Sequence, residues 1–454
     1  MRFSQLFTAA EVTTSMDKRL LVFSVDAMVY EDLAYLSTRP NFKAYLDGSA
    51  QVKRVRSIYP TVTYPIHVSL LTGCYPERHG VFSNFAFTTG SKEETWQWFA
   101  SAIQVEDIFT VAKRASFSTG SVFWPVTGCH PSIDYLLNEY WMPLPTDTLE
   151  GAFKRSGTSD EVLAIVDRNR HLLPPSHVKT GRVNVMVEPF IDDFLIACAC
   201  DVIRRFKPQV MFVHNGIIDG TRHKTGVFNE HVTAALDQVD MHLGRLMRSL
   251  EEAGVLQDTN IVFLSDHGQM DFDRIIKPNV LLAQNGFIDV APNGMVLDWR
   301  AYCMSNAMSA MVFLREPDNR TLYNQVYTLL RDLANEGAYG FSQVFTREEI
   351  RAAEHLDGDF SFVLETDGRT SFSDDCMPPI LSNVDLTDFR LGYATHGYLP
   401  DKGPQPVFVA KGPAFQNGKT LDRRPIVDVA PTLAEVLGLE LPEAQGVSMT
   451  ELLR

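Results

Sequence analysis

The chain has 454 residues, room for about three domains at roughly 150 each or for one large α/β core with an insertion. With 45% hydrophobic and 21% charged residues it is an ordinary globular chain, which excludes wholesale disorder. The net charge of −15 argues against nucleic-acid polymers and anionic membranes as partners, because phosphate backbones demand basic patches, yet a bound metal could still invert the field for a small phosphorylated substrate.

Residues 1–17 form a polar leader without the continuous apolar stretch of a secretory signal, and Met16 is a candidate start. No apolar run approaches the roughly 18 residues of a membrane span. A first buried strand, RLLVFSV, ends at Asp26. The segment Ile58–Asn84 (IYPTVTYPIHVSLLTGCYPERHGVFSN) combines Thr61 and Thr63 with turn-fixing prolines and a helix that begins near Pro65 and stops at a TG pair. A threonine there can cap the helix and, beside a cation that lowers its pKa, can be a nucleophile, two roles that can coexist; the residues alone do not choose between Thr61 and Thr63.

Further along, an amphipathic helix over 191–206 stops before Pro208 and precedes the strand QVMFVHNGI, which leads to Asp219. Asp219 and His223 stand four apart, within reach of one cation on a helical turn. A helix over 229–253 carries Val232, Leu236, Val239, Leu243, Leu246 and Leu250 on one stripe and ends at Gly254. The strand NIVFLS then ends at Asp266-His267. Residues 276–385 change texture and predict an inserted α+β cap subdomain between a catalytic core over 18–275 and its return over 386–454. The return carries His396 in a Thr-His-Gly loop, the strand QPVFVA and a helix over 426–437.

Continuous apolar runs bounded by helices predict strands buried on both faces, hence a doubly wound, mostly parallel sheet with helices on both sides. Such sheets bind ligands at the carboxyl ends of their strands, where Asp26, Asp219 and Asp266 would converge. One such aspartate is an ordinary helix cap; three, two of them followed by histidine, point to a metal site. Six cysteines without a CxxC pair argue for free thiols and a cytoplasmic setting, with Cys198 and Cys200 buried on a helix.

The segments FSVDA, PTVTYPIH, TGCYPERHGVFSN, DGTRH, SDHGQM, THGY, VFVAKGPAF and VDVAPTLAEVLG, in that order, resemble the nucleotide pyrophosphatase/phosphodiesterase branch of the alkaline phosphatase superfamily. The resemblance implies two divalent metals, most simply Zn²⁺ with Mn²⁺ acceptable to the same donors. One would be held by Asp26, Asp266, His267 and the Thr63 oxygen, the other by Asp219, His223 and His396. Thr63 would be the nucleophile, forming a covalent phosphothreonine. Asn84 would hold a phosphoryl oxygen, and Tyr64 would stack a nucleotide base. Ile66 departs from the asparagine of many relatives, and His67 is expected to be a packed, hydrogen-bonded residue.

The expected substrate is a small nucleotide-like diester or pyrophosphate. Monoesters carry about two charges and call for an arginine clamp, and Arg78, the one arginine in Ile58–Asn84, sits in a turn. A phosphonoacetate hydrolase would need cationic groups for the substrate carboxylate, and no lysine pair stands near the motifs. A phosphomutase or phosphotransferase shares the scaffold, but many of those use serine where this chain has threonine.

Overall fold

The computed structural model describes residues 18–89, 96–139, 148–173, 189–384 and 393–454. The leader over 1–17, Met16 and the boundary at 385/386 lie outside the described residues. In chain order the principal strands are β1 (Arg19–Val25), β2 (Ala50–Arg56), β3 (Thr119–Val122), β4 (Tyr135–Leu137), β5 (Val210–Asn215), β6 (Thr259–Leu264), β7 (Ala301–Ser305), β8 (Ser309–Leu314), β9 (Phe341–Thr346), β10 (Phe362–Thr366), β11 (Phe408–Lys411) and β12 (Thr420–Pro425). The helices that matter for the site are α1 (Thr63–Thr72), α2 (Pro189–Phe206), α3 (Ile217–Thr225) and α4 (Glu230–Glu252).

Eight strands make one sheet in the order β12-β2-β11-β6-β1-β5-β3-β4. Side chains alternate between its faces along β1: Leu21, Phe23 and Val25 pack under α2 and α4, while Leu20 and Val22 pack with Ile66, Leu70 and Leu71 of α1 on the other side. That double burial is why the strand reads as an unbroken apolar run. Each buried side chain of this size stabilises the fold by about 1.5–3 kcal/mol. Cys198 and Cys200 face the α2–α4 side, and all six cysteines are free thiols.

One strand departs from the expectation of parallel pairing. β11, the run QPVFVA, is antiparallel to both β6 and β2. Burial on both faces fixes a strand in the interior of a sheet but not its direction, so its apolar pattern carried no sign of the reversal.

The insertion builds a second, antiparallel sheet in the order β7-β8-β10-β9 with its own core, in which Val312, Leu314 and Leu364 pack on Leu322, Val326 and Leu330 of the helix Arg320–Glu336. Entry and exit are tied together: Arg274–Ile276 pairs with Thr370–Phe372 and with Leu381–Asn383. Tyr59 of the core donates to Glu365 of β10 (2.8 Å), and Lys402 lies 2.8 Å from the same buried carboxylate. Among the described residues no helix is long and apolar enough to cross a membrane.

Candidate active site

Each predicted ligand stands just past the carboxyl end of a core strand or in a loop beside it, as the sheet architecture requires. Asp26 follows β1; Asp219 and His223 lie on α3, which starts two residues after β5; Asp266 and His267 follow β6. His396 follows the short bridge Ala394–Thr395, which pairs with Met270–Asp271.

Thr63 is the first residue of α1, and neither threonine is its cap. Val62 occupies that position with an extended backbone (φ −125°, ψ 148°). The capping alternative is therefore filled by neither threonine, and the Thr63 hydroxyl faces the cluster. It lies 3.5 Å from Asp26 Oδ2 and 3.3 Å from His267 Nε2. A helix N-terminus also favours negative charge developing at this hydroxyl or on a phosphoryl group beside it.

The histidines are oriented for ligation. The Nδ1 atoms of His223, His396 and His267 face the carbonyls of Ala394 (2.7 Å), Thr61 (2.9 Å) and Gly268 (3.3 Å). Donation from Nδ1 leaves each Nε2 as a lone pair aimed inward, the arrangement that fixes metal-binding imidazoles. Ligand atoms of Asp219, His267 and His396 lie within 4.8 Å of one another, as do those of Asp26, Asp266 and His267. His267 thus stands between the two clusters, and His223 Nε2 is 3.3 Å from Asp219 Oδ1.

Electrostatics fit the same use. Burial, then the charges of Asp266 and Asp219, push Asp26 well above the usual carboxylate range. Burial likewise raises Asp266 to about 6 and lowers His267 to about 4. Asp219 goes the other way: burial opposes its charge, but His223 and His396 outweigh that and lower its pKa. Asp26 Oδ1 and Asp266 Oδ2 are buried with no hydrogen-bond partner. Oxygen and imidazole donors without a thiolate suit Zn²⁺ or Mn²⁺, so the residues present fit divalent cations.

Asn84 is held by its carbonyl oxygen, which accepts from the Tyr64 backbone N–H (2.8 Å), leaving the amide NH₂ as the end available to a ligand. Tyr64 departs from expectation. It is fully buried among Val68, Val81 and Val126 with its ring 5.4 Å from that of Trp96, so it packs the wall and presents no open face to a base. The sequence pattern could not distinguish these roles, since both need an aromatic next to the nucleophile. His67 is packed as expected, bonded to Ser24 Oγ (3.0 Å) and the Thr63 carbonyl (2.8 Å).

Three neighbours went unpredicted. His214 Nε2 lies 3.4 Å from Asp26 Oδ2. Gln269 donates to Asp219 Oδ1 at 2.5 Å. Arg222, wholly buried, binds both oxygens of Asp32 (2.8 and 3.0 Å) and the carbonyl of Ala27. A histidine inside an apolar strand, and polar residues within the SDHGQM and DGTRH motifs, were the available signals.

The sheet gathers acidic and imidazole donors at one edge beside a helix-terminal hydroxyl, a donor set that fits divalent cations. The chain belongs to the type I phosphodiesterase/nucleotide pyrophosphatase family, whose profile it matches over residues 20–398. Ectonucleotide pyrophosphatase/phosphodiesterase family member 1 of Mus musculus is 26% identical over 262 residues, 55% of this chain and 24% of its own length. The chain therefore spans about a quarter of that relative. Bis(5'-adenosyl)-triphosphatase ENPP4 of Bos taurus is 22% identical over 462 residues, covering 96% of this chain and 82% of that one. The solved structure of murine ectonucleotide pyrophosphatase/phosphodiesterase 5 superposes with a TM-score of 0.65 at 20% identity, covering 96% of this chain and 100% of the other. An inactive threonine-to-alanine variant of that murine protein in complex with AMP gives a TM-score of 0.66 at 19% identity. These structural likenesses establish the alkaline-phosphatase-like fold with its additional small sheets.

Proposed function

We propose that this protein hydrolyses phosphodiester or pyrophosphate bonds of a small nucleotide-like substrate through a phosphothreonine intermediate on Thr63. Six Asp and His residues would hold two divalent cations: Asp26, Asp266 and His267 with the Thr63 oxygen on one side, Asp219, His223 and His396 on the other. The observation that carries the proposal is a pair of buried ligand groups sharing His267, Asp26 with Asp266 and Asp219 with His396, and Thr63 Oγ1 lying 3.3 Å from His267 Nε2 and 3.5 Å from Asp26 Oδ2. The inactive threonine-to-alanine variant of the murine structure supports a catalytic threonine, and its AMP, like the bis-adenosyl name of the bovine relative, supports a nucleotide.

When bound, the cations would compensate the acidic cluster, lower the threonine pKa and polarise the phosphoryl group. The chain's own residues do the rest. α1 fixes Thr63 Oγ1 beside Asp26 and His267, where it gives up its proton to solvent and forms a bond to phosphorus as the bond to the leaving oxygen breaks and that oxygen takes up a proton from water. Asn84 donates its amide N–H to a non-bridging oxygen, as oxyanion donors do. Water then cleaves the Thr63–phosphorus bond and restores the hydroxyl. Among the described residues neither Thr63 nor Asn84 is hydrogen-bonded to arginine or lysine, and Arg222 is committed to Asp32. A neutral donor suits the single charge of a diester better than the two of a monoester. Free thiols support a reducing, cytoplasmic compartment.

Hydrolysis of a panel of diesters, dinucleotides, monoesters and phosphonoacetate by zinc-loaded protein tests this. Higher kcat/KM on nucleotidyl diesters or pyrophosphates is expected. Equal or higher efficiency on monoesters or phosphonoacetate would overturn it.

A further inference from the structure

We propose that Asn306, on the insertion rather than the core, is a positioning residue that sets the Asn84 corner against the His396 loop. The inference deepens the proposed hydrolase function and rests on it for its kinetic assay. Asn306 opens the tip of the β7–β8 hairpin. That tip is stiff: Asn306 N–H bonds the Ser309 carbonyl (2.8 Å), Ala307 N–H bonds Ser305 Oγ (3.0 Å), and the Ala307 carbonyl accepts from Phe372 N–H (2.7 Å) and Ser371 Oγ (3.1 Å). It reaches the core on two sides.

On one side Ser83 Oγ donates to Asn306 Oδ1 at 2.7 Å, both residues buried. Ser83 precedes Asn84, and the same hydroxyl accepts from Phe85 N–H (3.3 Å), so it braces the turn that carries the amide. On the other side Met308 N–H bonds the His396 carbonyl (2.9 Å). There the Asn306 carbonyl packs so closely on Gly397 (φ +95°) that a Cβ would stand 1.8 Å from it, which only glycine permits. Gly397 N–H in turn bonds the Thr61 carbonyl (2.9 Å), two residues before the nucleophile. One hairpin tip therefore spans the phosphoryl-oxygen donor and a predicted metal ligand.

A purely architectural residue would be cheaper. Among the described residues the buried Asn306 Nδ2 atom has no hydrogen-bond partner, a cost that an apolar side chain of similar volume would avoid. An oxygen that aims Ser83 and, through it, Asn84 accounts for an amide at this position.

The test is a double-mutant cycle in the full-length, zinc-loaded protein with N306A, S83A and N84A. N306A should lower kcat about tenfold, the loss of roughly one hydrogen bond, with KM changed less than about twofold and zinc content unchanged. In the N84A background the same change should cost less than about twofold, because its effect passes through Asn84. Full additivity, or wild-type kcat in N306A, would overturn the proposal. Should N306A fail to fold, S83A removes the same bond from the core side and takes its place in the cycle. If the wild type cleaves no phosphate ester, the functional proposal is what fails. The cycle is then read by calorimetric titration with orthovanadate, which should bind about tenfold more weakly to N306A, and no more weakly to N306A/N84A than to N84A. Unchanged vanadate affinity in N306A would overturn the positioning role independently.

Discussion

Arg222 ties α3, which carries Asp219, to the segment that follows Asp26, and its removal offers a quantitative check on the site's foundations. Its guanidinium reaches both Asp32 oxygens, the Ala27 carbonyl and, at 3.0 Å, the Val227 carbonyl, with the pair 0% and 3% exposed. Asp32 is also the acceptor for Val29 N–H (2.9 Å), and burial already raises its pKa despite the neighbouring cation. In Arg222→Met the carboxylate is stranded, and breaking one side of a buried pair costs about 3–5 kcal/mol. Asp32→Asn keeps an acceptor for Val29, so the double variant removes the orphaned charge and should recover about half of that loss. Urea unfolding of the four proteins, followed by the fluorescence of buried Trp124 and its fellow tryptophans, measures the coupling. Because Ala27 adjoins Asp26, and His223 adjoins Arg222 on α3, zinc affinity of Arg222→Met should also fall about 10- to 100-fold, as for lost support of metal ligands. Stability of Arg222→Met within about 1 kcal/mol of the parent, or strictly additive effects in the double variant, would refute the argument.

Three further outcomes follow from the same structure. Asp192 accepts from Gly216 N–H (3.0 Å), and burial raises it to about 7. The unfolded chain releases this proton near pH 4 and the folded one near 7, so stability falls across that window and then levels off. Asp192→Asn should thus gain up to about 4 kcal/mol over the parent at pH 8 and nothing near pH 3, read by denaturant titration at each pH. Chelation should lower the melting temperature and re-addition of zinc restore it, since a ligand at 100 times its Kd stabilises by about 2.7 kcal/mol. Asn84→Ala should lower kcat about 10²- to 10³-fold in steady-state assays, the usual loss for an oxyanion donor.

The positions of Asp26 and Asp266 at strand ends, and of Asp219 on the helix that follows β5, were legible because local apolar runs fix strands and strand ends fix where ligands gather. The α4 stripe was legible for the same local reason: its periodicity and its Asn229 cap are encoded within one segment. The reversed direction of β11 was not, because both directions bury the same side chains. Nor were Arg222 and Asn306, whose partners lie 190 and 223 residues away in sequence, so that contacts alone give them meaning. Tyr64 illustrates the opposite failure: its neighbourhood was right, but burial beneath Trp96 assigns it a different task.

Thr63 is proposed to bear a covalent phosphoryl group during turnover, and acid quenching of the zinc-loaded protein in the steady state traps that group. Peptide mass spectrometry should then find the substrate's phosphoryl moiety on the peptide containing Thr63, retained in Thr61→Ala and absent in Thr63→Ala, whose kcat falls by orders of magnitude. An unmodified Thr63 peptide at every quench time, together with Thr63→Ala turning over within about tenfold of the parent, would rule out a phosphothreonine intermediate.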